Sequence, residues 1–293
     1  MRSLLAILFG VGTAISNALA VTAQHVASSA GERRGRAWWR GVLRHPLWLL
    51  GWIALGSSLV TQAAALHFGP LSLVQPLLVS ELVVALVVRR MWRRQHLTRR
   101  AWVSALVTSA ALAGALLLSQ PHGGHSPRLS AWVVASLATT LVVLALVLSA
   151  RRPSPAWRAG CYGAATALLW AYEAAFIKSA TQVLVSRGPT GLFESPTLYG
   201  LVVTGVCGLV TEQLALREGP LRISQPLIVI VDPLASVLYG VVLFRERVSH
   251  SPVVLVGVAL LVAVVVGGVV VMSDAVPETL GATSRNDAEG LTE

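Results

Sequence analysis

Charge is what this chain has least of. Only 12% of its 293 residues are Asp, Glu, Lys or Arg, while 55% are hydrophobic and the mean hydropathy is +0.70. A water-soluble domain of this length needs a charged surface, so that class is excluded. Lysine is nearly missing, with Lys178 the one copy. It stands in Ile177-Lys178-Ser179 and not in the Gly-Lys-Ser/Thr of a phosphate-binding loop, which excludes ATP hydrolysis by that machinery. Neither HExxH nor Gly-x-Ser-x-Gly occurs. No enzymatic activity and no cofactor are expected. Cysteine is reduced to Cys161 and Cys207, both inside apolar runs, so neither a disulfide framework nor a thiolate metal cluster is expected.

What is present is a succession of apolar runs, each about as long as the ~20 residues a helix needs to cross the hydrocarbon core. They cover roughly 4–29, 46–67, 71–89, 101–118, 130–149, 157–185, 197–216, 222–243 and 252–272. The expected fold is an all-α polytopic membrane protein of about nine transmembrane helices. The formal net charge of +10 does not point to nucleic acid, because the arginines gather between the runs. Arginine marks the cytoplasmic side of a membrane protein. With the N-terminus outside, seventeen arginines fall inside and five outside (Arg2, Arg128, Arg187, Arg245 and Arg247). Tryptophans 38, 39, 48, 92, 102 and 157 flank the same basic loops, as an interfacial aromatic belt does. The expected place is the plasma (inner) membrane, N-terminus outside and C-terminus cytoplasmic. A cleaved signal peptide ending near Ala18-Leu19-Ala20 would strand the five arginines of 31–45 on the wrong face, so the first run is read as a span.

The stretch GPLSLVQPL, Gly69 to Leu77, returns as GPLRISQPL, Gly219 to Leu227. At an offset of 150, Leu59–Val79 aligns with Leu209–Val229 without a gap, and twelve of twenty-one positions match. The second span thereby maps onto the seventh and the third onto the eighth. By order the first and fourth map onto the sixth and ninth. An odd separation of five spans inverts the second copy. The chain therefore divides into repeat 1 (1–119), a linker helix (120–150), repeat 2 (151–273) and a polar, disordered cytoplasmic tail (274–293). Two inverted four-helix repeats joined by a linker helix are a transporter signature, because near-equivalent halves can exchange conformations around a central site. A duplicated bundle without transport is the bland alternative.

GPLSLVQPL and GPLRISQPLIVIVDPLASVLYGVVLFRERV resemble the paired signatures of the drug/metabolite transporter superfamily, EamA-like. In that superfamily a helix ends in a small-residue turn, the next begins with a proline, and a Glu-Arg pair closes it. Phe244-Arg245-Glu246-Arg247 matches that ending, whereas Arg89-Arg90-Met91-Trp92 in the first half lacks the glutamate. Nine spans with a long first helix running into a basic loop are closest in layout to the NIPA-like magnesium transporter branch. The resemblance covers most of the chain and implies fold more sharply than substrate.

Polar groups within the spans are the candidate site. Proline inside a helix removes a donor and frees a carbonyl, tolerated in lipid where protein or a polar cavity satisfies it. Gln75-Pro76 and Gln225-Pro226 are therefore expected to open their helices and line one cavity from the two halves; the alternative is that both prolines sit cheaply in first turns. Asp232 precedes Pro233 at mid-span and shares a helical face with Gln225, Ser236 and Tyr239. A carboxylate there costs about 2.5–3.5 kcal/mol on insertion scales and is a functional candidate by default. Thr13, Asn17, Gln24 and Ser28 form a polar stripe on the first span, lining a path or bonding it into the bundle. His25 reads as a packed residue. Glu81, Glu173 and Glu212 are the further acids in spans, and the repeat adds Thr61 and Gln62, matched to Thr211 and Glu212. Glu81 aligns with Val231, not Asp232, and is turned away from Gln75. Lys178 lies five residues after Glu173, on a different face, so it needs a carboxylate from another helix or must snorkel outward.

The expectation is a secondary active transporter of a small polar solute or metabolite, working by alternating access and coupled to a proton or ion, with Asp232 as the coupling carboxylate. The alternatives are a Mg²⁺ or other divalent-cation transporter, with no metal site firmly assigned, and a non-transporting membrane sensor or partner subunit. Expected partners are the solute or ion and the lipid bilayer, with a homodimer left open.

Overall fold

A computed structural model describes residues 2–29, 46–78, 80–81, 84, 87, 99–119, 124–152, 154–218, 221–247 and 252–275; some side chains within these helices, including those of Gln24, Gln225 and Pro226, lie outside the described set. The C-terminal tail and the basic segments 30–45 and 88–98 also lie outside it.

The described residues form nine helices: α1 (Arg2–Ser29), α2 (Pro46–Phe68), α3 (Leu71–Leu78), α4 (Arg99–Ser119), α5 (Leu129–Ser149), α6 (Pro155–Phe193), α7 (Pro196–Glu218), α8 (Leu221–Val242) and α9 (Pro252–Ala275). The protein is all-helical and apolar throughout. Among the described residues, four segments are long and apolar enough to cross a membrane by length and composition: Arg2–Ala20, Pro46–Phe68, Leu129–Ser149 and Pro196–Ala215.

Proline sets the element boundaries. Pro46, Pro155, Pro196 and Pro252 each open a helix, where the missing N–H costs nothing and the fixed φ is already helical. Ser154 caps α6, accepting from the Trp157 backbone N–H at 3.4 Å. The helix expected over 157–185 continues to Phe193, but with a kink: Gly188 has φ 71° and ψ −174° immediately before Pro189. The residue before proline avoids the helical region, and glycine alone adopts this positive φ without strain. Pro76 lies inside α3, and a turn follows at Ser80, whose N–H reaches the Leu77 carbonyl at 3.1 Å. Helix α8, by contrast, runs unbroken through Pro226 and Pro233.

The helices that pack most extensively are α1 with α2, α6 with α7, α4 with α9 and α6 with α8, and α3 also lies against α8. Small residues allow these approaches. A methyl group at Gly10 would come within 2.8 Å of Leu77 Cδ2, and one at Gly163 within 3.0 Å of the Ser224 carbonyl oxygen. In an apolar solvent, close van der Waals contact and interhelical hydrogen bonds replace the hydrophobic effect as the force holding helices together. The Thr13 and Thr61 hydroxyls meet at 3.0 Å between α1 and α2, and those of Thr166 and Thr211 meet at 3.0 Å between α6 and α7. In both pairs the first threonine also bonds the carbonyl one turn back, Phe9 at 2.9 Å and Tyr162 at 2.8 Å.

The larger buried core gathers where α2 ends, α3 begins and α8 ends, around Ala65, Leu66, Leu71, Val74, Ile177 and Phe244. Helix α5 presents few residues to the bundle, with Ala135 and Thr139 its buried pair. It is fastened by two tyrosines. Ser136 Oγ meets Tyr172 Oη at 2.6 Å and Thr139 Oγ1 meets Tyr239 Oη at 2.6 Å, while the Trp132 ring stacks on Phe176 at 4.6 Å.

Because the Gly163 site is closed by backbone, Gly163→Ala is expected to lower stability by about 1–3 kcal/mol through overpacking. Gly56→Ala, which meets nothing within 4 Å, should stay within about 0.5 kcal/mol of the parent. Thermal unfolding of the two variants in the same detergent measures the difference.

Candidate functional site

Three helices bring carboxylates toward one region. Glu81 follows the Ser80 turn at the end of α3, and Asn17 of α1 donates to its Oε2 at 3.2 Å. Asn17 is itself held, because Ser58 of α2 donates to Asn17 Oδ1 at 2.6 Å. The polar stripe of the first span thus resolves into separate interhelical bonds: Thr13 to Thr61, then Asn17 to both Ser58 and Glu81. The second half is built differently at the equivalent positions. In the register set by the threonine pairs, where Thr166 and Thr211 stand for Thr13 and Thr61, Trp170 stands where Asn17 does, Gly208 where Ser58 does and Val231 where Glu81 does; a methyl on Gly208 would come within 3.2 Å of the Trp170 ring. A hydrogen-bonded triad in one half is therefore matched by an indole on a glycine in the other.

Asp232 sits on α8, half-buried, with Ser236 donating to its Oδ1 at 3.2 Å, the i to i+4 spacing expected of one helical face. Its charge is felt at both Glu81 and Glu173, and that of Glu212 at Glu81. Glu173 of α6 lies against Gly205 of α7, where an added methyl would be 2.9 Å from its Oε1. The acids converge across α3, α6 and α8, yet among the described residues no group of three or more His, Cys, Asp or Glu is placed to hold a metal ion.

The other expected site residues divide. Gln75 is buried, and its Nε2 has no hydrogen-bond partner. Thr61 and Thr211 join helices, as described. Gln62 and Glu212 are half-buried on α2 and α7. Tyr239 does share the α8 face with Ser236, but its hydroxyl is taken by Thr139 of α5, which makes it a fastening residue. Pro76 is buried inside α3 and Pro233 half-buried inside α8. The side chains of Gln24, Gln225 and Pro226 lie outside the described residues, so the paired-glutamine cavity is described from one half.

Sequence reasoning expected a carboxylate for Lys178 but did not assign which one. Lys178 Nζ is 2.5 Å from Glu246 Oε1, with both side chains almost wholly enclosed. Glu246 is more than an ion-pair partner. Its Oε1 accepts from the Leu71 N–H at 2.6 Å, and its Oε2 accepts from the Ser72 N–H at 2.9 Å and the Ser72 hydroxyl at 2.6 Å. Those backbone donors are the first of α3, which have no partner within their own helix, and a carboxylate there also complements the helix dipole. Lys178 lies over the Phe244 ring at 4.5 Å. A methyl group at Gly240 would overlap Glu246 Oε2, so glycine is required there for the carboxylate to dock. The expectation that Lys178 takes a carboxylate from outside its own helix is met by Glu246, the acid of the Phe244-Arg245-Glu246-Arg247 ending.

The chain is similar to an uncharacterized protein of Corynebacterium glutamicum, 28% identical over 269 residues that cover 90% of this chain and 93% of the relative. No family model matches. No solved structure matches.

Removing one partner of a buried, hydrogen-bonded pair leaves an uncompensated charge, so Lys178→Met is expected to destabilise the protein by about 3–5 kcal/mol. Lys178→Met combined with Glu246→Leu should recover only part of this, because the α3 donors then lose their acceptor. Chemical unfolding of the single and double variants in detergent reads both.

Proposed function

We propose that this protein is a secondary active transporter built from two inverted repeats, with its central site among Glu81, Glu173 and Asp232. The observation that carries this reading is that Asp232 of the second half lies within electrostatic reach of an intramembrane acid from each half, Glu81 of the first and Glu173 of the second. Acids at that depth are costly and face a bundle interior or a polar path. The repeat supports the same reading. The threonine pairs recur at matching places, and α3 lies against α8 and α4 against α9, each helix beside its own equivalent. A two-fold axis in the membrane plane relates halves in that way.

Asp232 is the coupling carboxylate in this scheme. It takes up a proton or cation that must leave before the empty carrier reorients. The buried amide of Gln75, which donates to no protein group, suits a solute bearing a carbonyl or carboxylate acceptor. The seventeen-to-five arginine split supports an N-terminus outside, with α3 beginning at the outer face. A hydrated Mg²⁺ needs one or two carboxylates and keeps several waters, so Asp232 together with either Glu81 or Glu173 also favours a divalent cation as the second reading.

Proteoliposomes carrying an imposed proton gradient test this with radiolabelled amino acids and sugars and, separately, with Mg²⁺ and an entrapped indicator. The expected outcome is driven uptake of one class, abolished by Asp232→Asn while exchange of that solute persists. Undiminished accumulation by the variant removes Asp232 from the coupling role, and no flux of any class removes the transport reading. Ser126→Cys in a variant lacking Cys161 and Cys207 checks the orientation: an impermeant thiol reagent should label it from outside.

A further inference from the structure

The repeat predicts that whatever closes one face of the bundle has a counterpart at the other. Around Glu246 it does not. The position 150 residues earlier is His96, and the chain contains no acidic residue between Glu81 and Glu173. The repeat therefore supplies no equivalent of Glu246 at the position matched to it for the start of α8.

The packing is unequal in the same sense. Helix α6 lies against α2 and α3 across the two halves. The repeat would match this with contacts of α1 on α7 and α8, and among the described residues neither packs on α1 to a comparable extent. The core gathers at the Glu246 end, with Leu66, Leu71, Leu243 and Phe244 enclosed around the ion pair. The segment before α5 closes over it: the His125 N–H bonds the Phe244 carbonyl at 2.7 Å, and Gly124, at φ 127°, brings its backbone so near that a methyl there would stand 3.7 Å from Lys178 Nζ. The backbone that delivers Glu246 is itself strained. Arg245 has φ 53°, a left-handed conformation uncommon for a residue with a side chain. Strain of this kind persists where the surrounding contacts over-determine it, and it clusters at switching segments.

We infer that the Lys178–Glu246 pair is the latch of the gate at the face where α2 ends and α3 begins, joining the end of α8 to α6 and to the start of α3, and that the repeat carries no matching latch at the equivalent position of the opposite face. This rests on the transporter reading for its purpose, and on the arginine split for naming the latched face the outer one. One carboxylate serves the lysine and three α3 donors together, so the contacts are lost as a set when the face opens. A bonded set of that kind gives two discrete states, closed and open, rather than a graded one. With no matching latch in the repeat, the empty carrier rests closed outside.

The test uses Ser236→Cys, one face-turn from Asp232 and fully buried, in the full chain with Cys161→Ala and Cys207→Ala. The rate of labelling by an impermeant thiol reagent is measured in right-side-out and in inside-out vesicles. With the latch intact the outer rate is low. Glu246→Gln should raise it by about tenfold or more, since an amide cannot hold the lysine, and Lys178→Gln should do the same. Size-exclusion elution confirms that each variant is folded, and either variant alone suffices for the reading. The exchange Lys178→Glu with Glu246→Lys restores an ion pair but leaves Leu71 and Ser72 without an acceptor, so the outer rate should stay high. Unchanged rates in both single variants overturn the latch and leave the pair a structural staple. Full closure in the exchanged variant overturns the shared role of the carboxylate. A rise confined to the opposite face keeps the latch and reverses the membrane orientation. Labelling needs no solute flux, so failure of the transport reading is seen separately in the uptake measurements.

Discussion

A carboxylate with no water to solvate it must be satisfied by protein, and Glu246 meets that requirement with groups from two other helices. Its partners are the lysine of α6, two backbone amides and a hydroxyl at the start of α3, while its own segment leaves α8 through a left-handed turn. Removing any one of these leaves polar groups stranded in an apolar surround, the most expensive defect this environment permits. Much else at that end follows. Gly240 is there because nothing larger lets the carboxylate in, Phe244 is buried because it covers the ammonium, and the segment before α5 is held because it bonds the Phe244 carbonyl.

The rest of the bundle is held by weaker and more repetitive means. Glycines admit neighbouring helices, and threonine hydroxyls bond once within their own helix and once across. These devices recur in both halves. The groups that carry chemistry do not: Asn17, Ser58 and Glu81 in one half correspond to Trp170, Gly208 and Val231 in the other, and neither Glu173 nor Asp232 has an acidic equivalent. The duplicated window keeps Thr61 and Gln75 as Thr211 and Gln225, while the buried ionisable groups differ between the copies.

Much of the architecture was legible in the chain alone. Among the described residues each of the nine apolar runs contains a helix, the third over Leu71–Leu78 of the expected 71–89, because a helix is the one local structure that satisfies its own backbone without water. Boundaries were legible where proline marks them, as at Pro46, Pro155 and Pro196. They were misplaced where a kinked helix continues past a proline, as α6 does beyond Gly188. The i to i+4 relation of Asp232 and Ser236 was also readable, being a property of one helix. Gln75 was singled out correctly as a polar group inside the bundle, but its lack of a partner was not visible from its neighbours in sequence.

What the chain could not reveal is which side chains meet across helices. Asn17 and Glu81 are 64 residues apart, Tyr239 and Thr139 are 100 apart, and Glu246 and Leu71 are 175 apart. Periodicity tells which face of a helix a residue occupies, and it says nothing about which helix that face turns toward. Tyr239 shows the consequence: it lies on the Asp232 face as its spacing requires, yet its hydroxyl is spent on α5. Composition, the apolar runs and the repeat were determined by the sequence because each is a property of a segment or of two aligned segments. The ion pair, the capped helix and the convergence of three acids were decided by tertiary structure, because in a bundle of like, apolar helices only packing selects the partners.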